Sequence, residues 1–427
     1  MNGILKRSIN DYKLYLILKL LLFLSLTASS LRAQIIQSQE VEFVSTRTIH
    51  TKTGYTSFSI SGIRDFGQIA AVVSMDTFYF QQNAHFETSV SNLVLFDVTQ
   101  FEITFINFSQ GALSFELSIY NGTCSPVLDL EIEKTKLAQK KIDCELPPLI
   151  EQDIWREGLP EPKPNPSTTQ VSHMVVHHSA TSNSVTNYTL AVRNIYLYHV
   201  NNNGWNDVGY NYLIAPDGTL YAGRDGQGKE DDNIRGAHFC AKNSYTMGIC
   251  LIGNYSETQP SDSMLNTLEG LLAWKANKEE IHPLELEFHP KGSSTGFDLA
   301  TICGHRDGYK AGVFSGCQTE CPGDNFYSIL DTVRFHVFQR LIDCEFFIGS
   351  NNRSAQNDII FSDGTIHLKS ELNQDYYVFD LSGRLLISGQ SNGNEIDLSR
   401  LPMGVFVVML QTENRLKSFK IMNYGNQ

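Results

Sequence analysis

The stretch Met174–Thr181, MVVHHSAT, sets two adjacent imidazoles, His177 and His178, at the end of a short apolar run. Two further groups of matching chemistry lie downstream: His305 in GHRD and Cys321 in CPGDNFY. Imidazole nitrogen and thiolate sulfur suit zinc, and three such ligands with a fourth position left for solvent describe a hydrolytic zinc centre. On the residues alone the first ligand is either His177 or His178. Consecutive strand residues face opposite sides, so the two differ in what they can reach. Each group also has an ordinary explanation: a strand histidine is commonly a satisfied core residue, and an exported cysteine is commonly half of a disulfide.

Groups so far apart in sequence act together only if the elements between them position them. Residues 171–347 read as alternating strands and helices. VSHMVV and MGICLIG are buried strands, and YNYLIAPDGTLYAG is two strands around a Pro-Asp-Gly turn. Tyr188–His199, Met264–Lys278 and Asn325–Leu341 carry helical spacing, the last capped by Asp324. This pattern predicts a central α/β domain, a mixed sheet flanked by helices. Upstream, residues 34–146 alternate as half-buried strands do, in FEITFINF and LSFELSIY, and predict a β-rich domain, drawn as a β-sandwich of unknown role. Residues 147–170, with six prolines from Pro147 to Pro166, predict a stiff linker. A polar linker at 348–358 precedes a C-terminal β-sandwich tail at 359–427.

The chain has 427 residues, 41% of them hydrophobic, enough for several cores, and a formal net charge of −13. No basic block occurs, which argues against a nucleic-acid partner. Residues 1–33 read as a signal peptide. Lys6, Arg7 and Lys13 precede the apolar run Leu14–Leu26, broken by Lys19, and LRAQ offers cleavage after Ala33. The expected location is therefore secreted or cell-surface, where disulfides form. There are eight cysteines, so one used on metal leaves an odd thiol. Cys124 with Cys144, and Cys317 with Cys303 or Cys344, are the pairings considered.

Four ordered blocks, HHSAT, GWNDVGYNYLI with DGTLYAGRDG, GAH with NSYTMGICLIGN, and GHRD with CPGDNFY, resemble the peptidoglycan recognition protein family and the related phage lysozyme-type N-acetylmuramoyl-L-alanine amidases. The resemblance spans about Val171 to Leu341. It implies zinc held by His177, His305 and Cys321, a catalytic tyrosine at Tyr210, and a hydroxyl at Thr319 where the phage enzymes carry lysine. The implied reaction is hydrolysis of the lactyl–L-alanine amide of peptidoglycan, with peptidoglycan or muropeptides as partner and a monomer as the working unit. The alternative is a non-catalytic peptidoglycan-binding module. Asp307 and His199 are candidates to orient the ligating imidazoles. The His305-to-Cys321 spacing departs from most relatives through YKAGVFSGCQ, which makes Cys317 a competitor of Cys321. The tail, through VFDLSGRLL, IDLSRLPMGVFVV and Lys420–Met422, is similar to the sorting domains of the Bacteroidetes type IX secretion system, which implies secretion machinery as a second partner.

Overall fold

The computed structural model describes residues 35–81, 90–123, 145–240, 242–309, 318–343, 359–362, 365–368, 374–380, 385–402, 404–412 and 415–423. The expected signal peptide, the linker at 348–358, and Cys124, Cys144, Cys317 and Cys344 lie outside the described residues. No helix among the described residues is long and apolar enough to cross a membrane.

The N-terminal region forms β1 (Ile35–Phe43), β2 (Thr46–Ser61), β3 (Ile69–Val73), β4 (Asp76–Tyr79), β5 (Val94–Asn107) and β6 (Leu113–Tyr120). They join in one antiparallel sheet, ordered β1-β6-β2-β5-β3-β4, in place of the two sheets of a sandwich. The long strand β2 shifts register against β5 between His50 and Tyr55 and again before Ser57. Such bulges bend a strand, so one sheet gathers apolar residues from Val41 in β1 to Val73 in β3 into a single cluster. Phe58, Phe105 and Phe115 lie at its centre, with Phe105 and Phe115 4.8 Å apart and edge-on. Alternation in β6 fails at its end, where Ser118, Ile119 and Tyr120 are all buried. Ile119 faces this cluster, while Tyr120 faces the next domain.

The central domain begins inside the proline-rich stretch. Leu149–Ile150 is strand β7 and Gln152–Trp155 is a helical turn, α1. Trp155 is fully buried and its indole N–H donates to Ala222 O at 2.8 Å. Prolines flank these residues without interrupting them, so apolar burial rather than proline stiffness decides this segment. Then follow β8 (His173–His178), α2 (Tyr188–Leu197), β9 (Tyr212–Ile214), β10 (Leu220–Ala222), β11 (Thr246–Leu251), α3 (Asp262–Glu279), β12 (Leu286–His289), β13 (Phe297–Ala300) and β14 (Ile302–Gly304). The sheet order is β14-β8-β11-β9-β10-β7, parallel except for the β9–β10 hairpin. Helix α2 starts at Asn187, whose side chain accepts from Leu190 N, and α3 starts at Ser261, whose hydroxyl accepts from Met264 N. A wide π turn, Tyr198–Asn202, prolongs α2. The helix expected over Asn325–Leu341 is two pieces, α4 (Asp324–Tyr327) and α5 (Leu330–Asp343). Gly323, at φ +94°, precedes α4, and Asp324 pairs with Arg306 at 2.7 Å rather than capping the helix.

Met174 and Val176 of β8, with Met247, Ile249 and Leu251 of β11, face one core with α3 and α5. The alternate set faces the other way: Val175 toward Phe239, and Cys250 toward α2. In the tail, β15 (Ile359–Ser362), β16 (Thr365–Leu368) and β19 (Glu395–Asp397) form one sheet. β17 (Asp375–Asp380), β18 (Leu385–Gln390), β20 (Gly404–Thr412) and β21 (Arg415–Asn423) form a second. Both sheets contribute to one cluster around Ile366, Val378 and Val408. On its other side the tail meets α5, where Phe335 and Phe338 pack with Val407 and Met409.

Candidate metal centre and catalytic cleft

Strand β8 carries His177 on the same side as Val175, away from the α3 core. Strand β14, its parallel neighbour, ends at Gly304 and hands His305 to a short 3-10 turn, His305–Gly308. The backbone of this turn holds Cys321: Arg306 N donates to Cys321 O at 2.9 Å. His177, His305 and Cys321 are all buried, and one donor atom from each lies within 4.8 Å of the others. The sulfur of Cys321 is 3.8 Å from His177 Nδ1. It also accepts from His178 N at 3.4 Å, while the His178 imidazole accepts from Tyr255 N and stands outside the three-group cluster.

The donor set passes a further test, which is its tautomer. Thr246 Oγ1 donates its hydrogen to Asn243 O (2.9 Å), so toward His238 Nε2 (3.3 Å) it can only accept. His238 therefore carries its proton on Nε2 and accepts at Nδ1 from His177 Nε2–H, 3.0 Å away. That leaves a lone pair on His177 Nδ1, the nitrogen facing Cys321. A ligating histidine oriented through its other ring nitrogen is what a metal centre requires. The residues present fit zinc.

His238 lies in the GAH block, where nothing in its local sequence marks it as the partner of His177. The two groups expected in its role are engaged elsewhere. Asp307 accepts from Gly304 N at 2.8 Å and from the Tyr327 hydroxyl at 2.5 Å, fixing the turn that bears His305. His199 accepts at Nδ1 from Gly209 N (3.1 Å) and lies against Trp205. Cys303 is a free, buried thiol in β14, which removes it as a partner for Cys317. Cys240, whose sulfur is 3.3 Å from His305 Nε2, is disulfide-bonded and so offers no competing thiolate.

A cleft of about 350 Å³ opens over the cluster, lined by Tyr210, His178, His199, Thr319 and Cys321 among others. The Tyr210 ring lies 5.2 Å from that of His177. Burial, with the neighbouring Cys250 and Cys321, holds the Tyr210 hydroxyl well above the usual phenol range, so it stays protonated. Thr319 Oγ1 accepts from Cys321 N at 3.1 Å, which leaves its hydrogen to donate. Burial pushes the Cys321 thiol up to about 12, opposed by the His178 N–H and by Arg306.

Residues 167–324 match the domain family described as N-acetylmuramoyl-L-alanine amidase. The chain is 31% identical over 164 residues to peptidoglycan-recognition protein SC2 of Drosophila simulans, covering 38% of this chain and 73% of that protein. It is 34% identical over 163 residues to peptidoglycan recognition protein 1 of Bos taurus, covering 38% of this chain and 70% of that protein. Among solved structures, Drosophila PGRP-LB matches at 25% identity over 43% of this chain and 92% of that one, with a TM-score of 0.32.

Proposed function

The chain belongs to the peptidoglycan-recognition protein family, and from that premise we propose that it is a secreted, zinc-dependent N-acetylmuramoyl-L-alanine amidase. The substrate is the amide between the lactyl group of N-acetylmuramic acid and L-alanine in peptidoglycan or muropeptides. The observation that carries this reading is the convergence of His177, His305 and Cys321 beneath a cleft that also holds Tyr210 and Thr319.

His177, His305 and Cys321 would hold the metal. When bound, zinc supplies a Lewis acid and brings the pKa of water toward about 7. The chain's own residues do the rest. His238 keeps the His177 ring in the ligating tautomer. The His178 N–H stabilises the Cys321 sulfur as thiolate. Attack on the amide carbonyl builds charge on its oxygen, to which the Thr319 hydroxyl and the Tyr210 hydroxyl, once released from its hydrogen bond to Cys250, would donate. A donor placed in advance of the reaction contributes about 3 kcal/mol, roughly a hundredfold in rate. Backbone N–H groups donate to Nδ1 of both His178 and His199, so each neutral ring carries its hydrogen on Nε2, and both residues line the cleft.

Export follows from the signal-peptide pattern of residues 1–33, and the tail would engage type IX secretion machinery. The enzyme would act as a monomer at the outer surface of the cell. The test combines metal analysis with digestion of purified muropeptides, comparing wild type with Cys321→Ser. The expected result is loss of both bound zinc and free-lactyl product in the variant. Full activity in Cys321→Ser would overturn the reading.

A further inference from the structure

The cleft is not built by the central domain alone. Gln81, Asn92 and Leu93, from the N-terminal sheet region, line it together with His178, Thr181 and Tyr210. This wall is fixed in place. Asn92 Oδ1 accepts from Gln81 N at 3.1 Å, and Asn92 N donates to Gln81 O at 2.8 Å. Asn92 Nδ2 donates to Ala180 O at 3.4 Å, in the turn that follows the ligand-bearing strand β8. Next to it, Tyr198 of the π turn donates its hydroxyl to Ser91 O at 2.8 Å, and Leu93 is buried in the cluster shared with α2. A second anchor lies farther along: both oxygens of Asp97 accept from Thr186 and Asn187 at the start of α2.

We propose that the N-terminal region is a substrate-binding subsite of the amidase, in which Gln81 and Asn92 hydrogen-bond a neutral, amide- or hydroxyl-bearing part of the ligand beside the scissile bond. Among the described residues, the wall offers two carboxamides and a leucine and no ionised side chain. A carboxamide donates and accepts from one group, which matches acetamido, secondary-amide and hydroxyl partners. A carboxylate would be served by a cation, and among the described residues this wall presents none. The inference rests on the amidase reading for its ligand, and it assigns a role to a region that the family match at 167–324 does not reach.

The experiment uses full-length protein and three substitutions. Gln81→Ala removes one carboxamide. Asn92→Asp keeps the acceptor for Gln81 N and removes the donor to both the ligand and Ala180 O, so Gln81→Ala is the variant that reads one contact alone. Gln81→Trp narrows the cleft. Steady-state digestion of muropeptides gives KM and kcat. Calorimetric titration of muramyl dipeptide into Cys321→Ser protein, with and without each substitution, gives affinity. One lost hydrogen bond should raise KM and Kd about 3- to 10-fold, with kcat within about twofold and zinc content unchanged. Gln81→Trp should weaken binding further. A parallel titration with L-alanyl-D-isoglutamine locates the contact: equal loss points to the stem peptide, and loss confined to muramyl dipeptide points to the sugar. If wild type binds and cleaves while all three variants match it, the subsite is overturned and the amidase reading stands. If wild type neither binds nor cleaves muropeptide, both fall together.

Discussion

The His238 imidazole fits against β11 and the loop before it only because residues 236 and 248 lack side chains. A Cβ at Gly248 would lie 2.4 Å from His238 Cδ2, and one at Gly236 would lie 2.3 Å from the same atom. The imidazole thus occupies space that two glycines leave, and from there it sets the His177 tautomer. His238→Gln should lower zinc affinity 10- to 100-fold, the range for lost support of a ligating histidine, as measured by chelator competition. Gly248→Ala should lower it too, though all three ligands stay intact. Unchanged affinity in both variants would remove His238 from the site. Cys321 supports a separate prediction. With its thiol pushed up to about 12, metal-free protein at pH 7 holds that proton, and zinc must displace it. Titrating zinc in buffers of different ionisation enthalpy should report release of about one proton. Release of none would exclude the thiol as a ligand.

The turn leading into β9 is organised by a buried carboxylate. Asp207 accepts from Gln152 Nε2, Val208 N and Asp225 N, joining α1, the Tyr210 segment and the residues after β10. Burial outweighs these donors and raises its pKa from 3.8 to about 6. Between about pH 4 and 6 the folded chain therefore binds more protons at this site than the unfolded chain. Stability from Asp207 accordingly falls as pH rises through that window, by up to about 3 kcal/mol. His282 and His289, both pushed down to about 4 by burial, act with the opposite sign. In their case the unfolded chain binds more protons between about pH 4 and 6.5, so stability rises with pH. The readout for Asp207→Asn is thus the difference between urea-unfolding curves of variant and wild type against pH. That difference should narrow toward pH 4 and shift in favour of the variant toward pH 7. A difference independent of pH would show that Asp207 is not held above its ordinary range.

Across the whole molecule, the N-terminal sheet and the central domain share one core rather than meeting at a loose junction. Val90, Leu95 and Tyr120 cluster with Trp155, Ile195 and Tyr196. Arg193, 1% exposed, donates to Gly122 O and Thr123 O on one side and to Trp155 O and Glu157 O on the other. Asn194 Oδ1 accepts from both Thr56 and Ser57. Hydrogen bonds from a buried charge to four carbonyls are costly to remove, so Arg193→Ala should lower stability by about 3 kcal/mol or more. The shared core also predicts that both regions unfold in one calorimetric transition, which two separate wild-type transitions would contradict. On the opposite side the tail covers Phe335 and Phe338 of α5.

The donor types were legible in the sequence because imidazole and thiolate are what zinc takes, whereas His177 over His178 and Cys321 over Cys317 rested on the family resemblance; the fold brings His177, His305 and Cys321 together. The strands and helices were legible because apolar patterning is local too; β8 and β11 fall on the continuous apolar runs, and α2 and α3 where the helical spacing puts them. Where neighbours intervened, the local signal failed. Gln152–Trp155 became helix and core despite the surrounding prolines, and Asp324 left its cap for Arg306. His238 could not be chosen from its own surroundings, since its part depends on β11 lying parallel to β8 with Gly248 opposite Val175. Nor could the approach of Gln81 and Asn92 to the cleft be read from a one-dimensional pattern. Periodicity records which face of an element is buried, but not which distant element buries it; only the folded chain brings residues 81 and 210 to the lining of the same cavity.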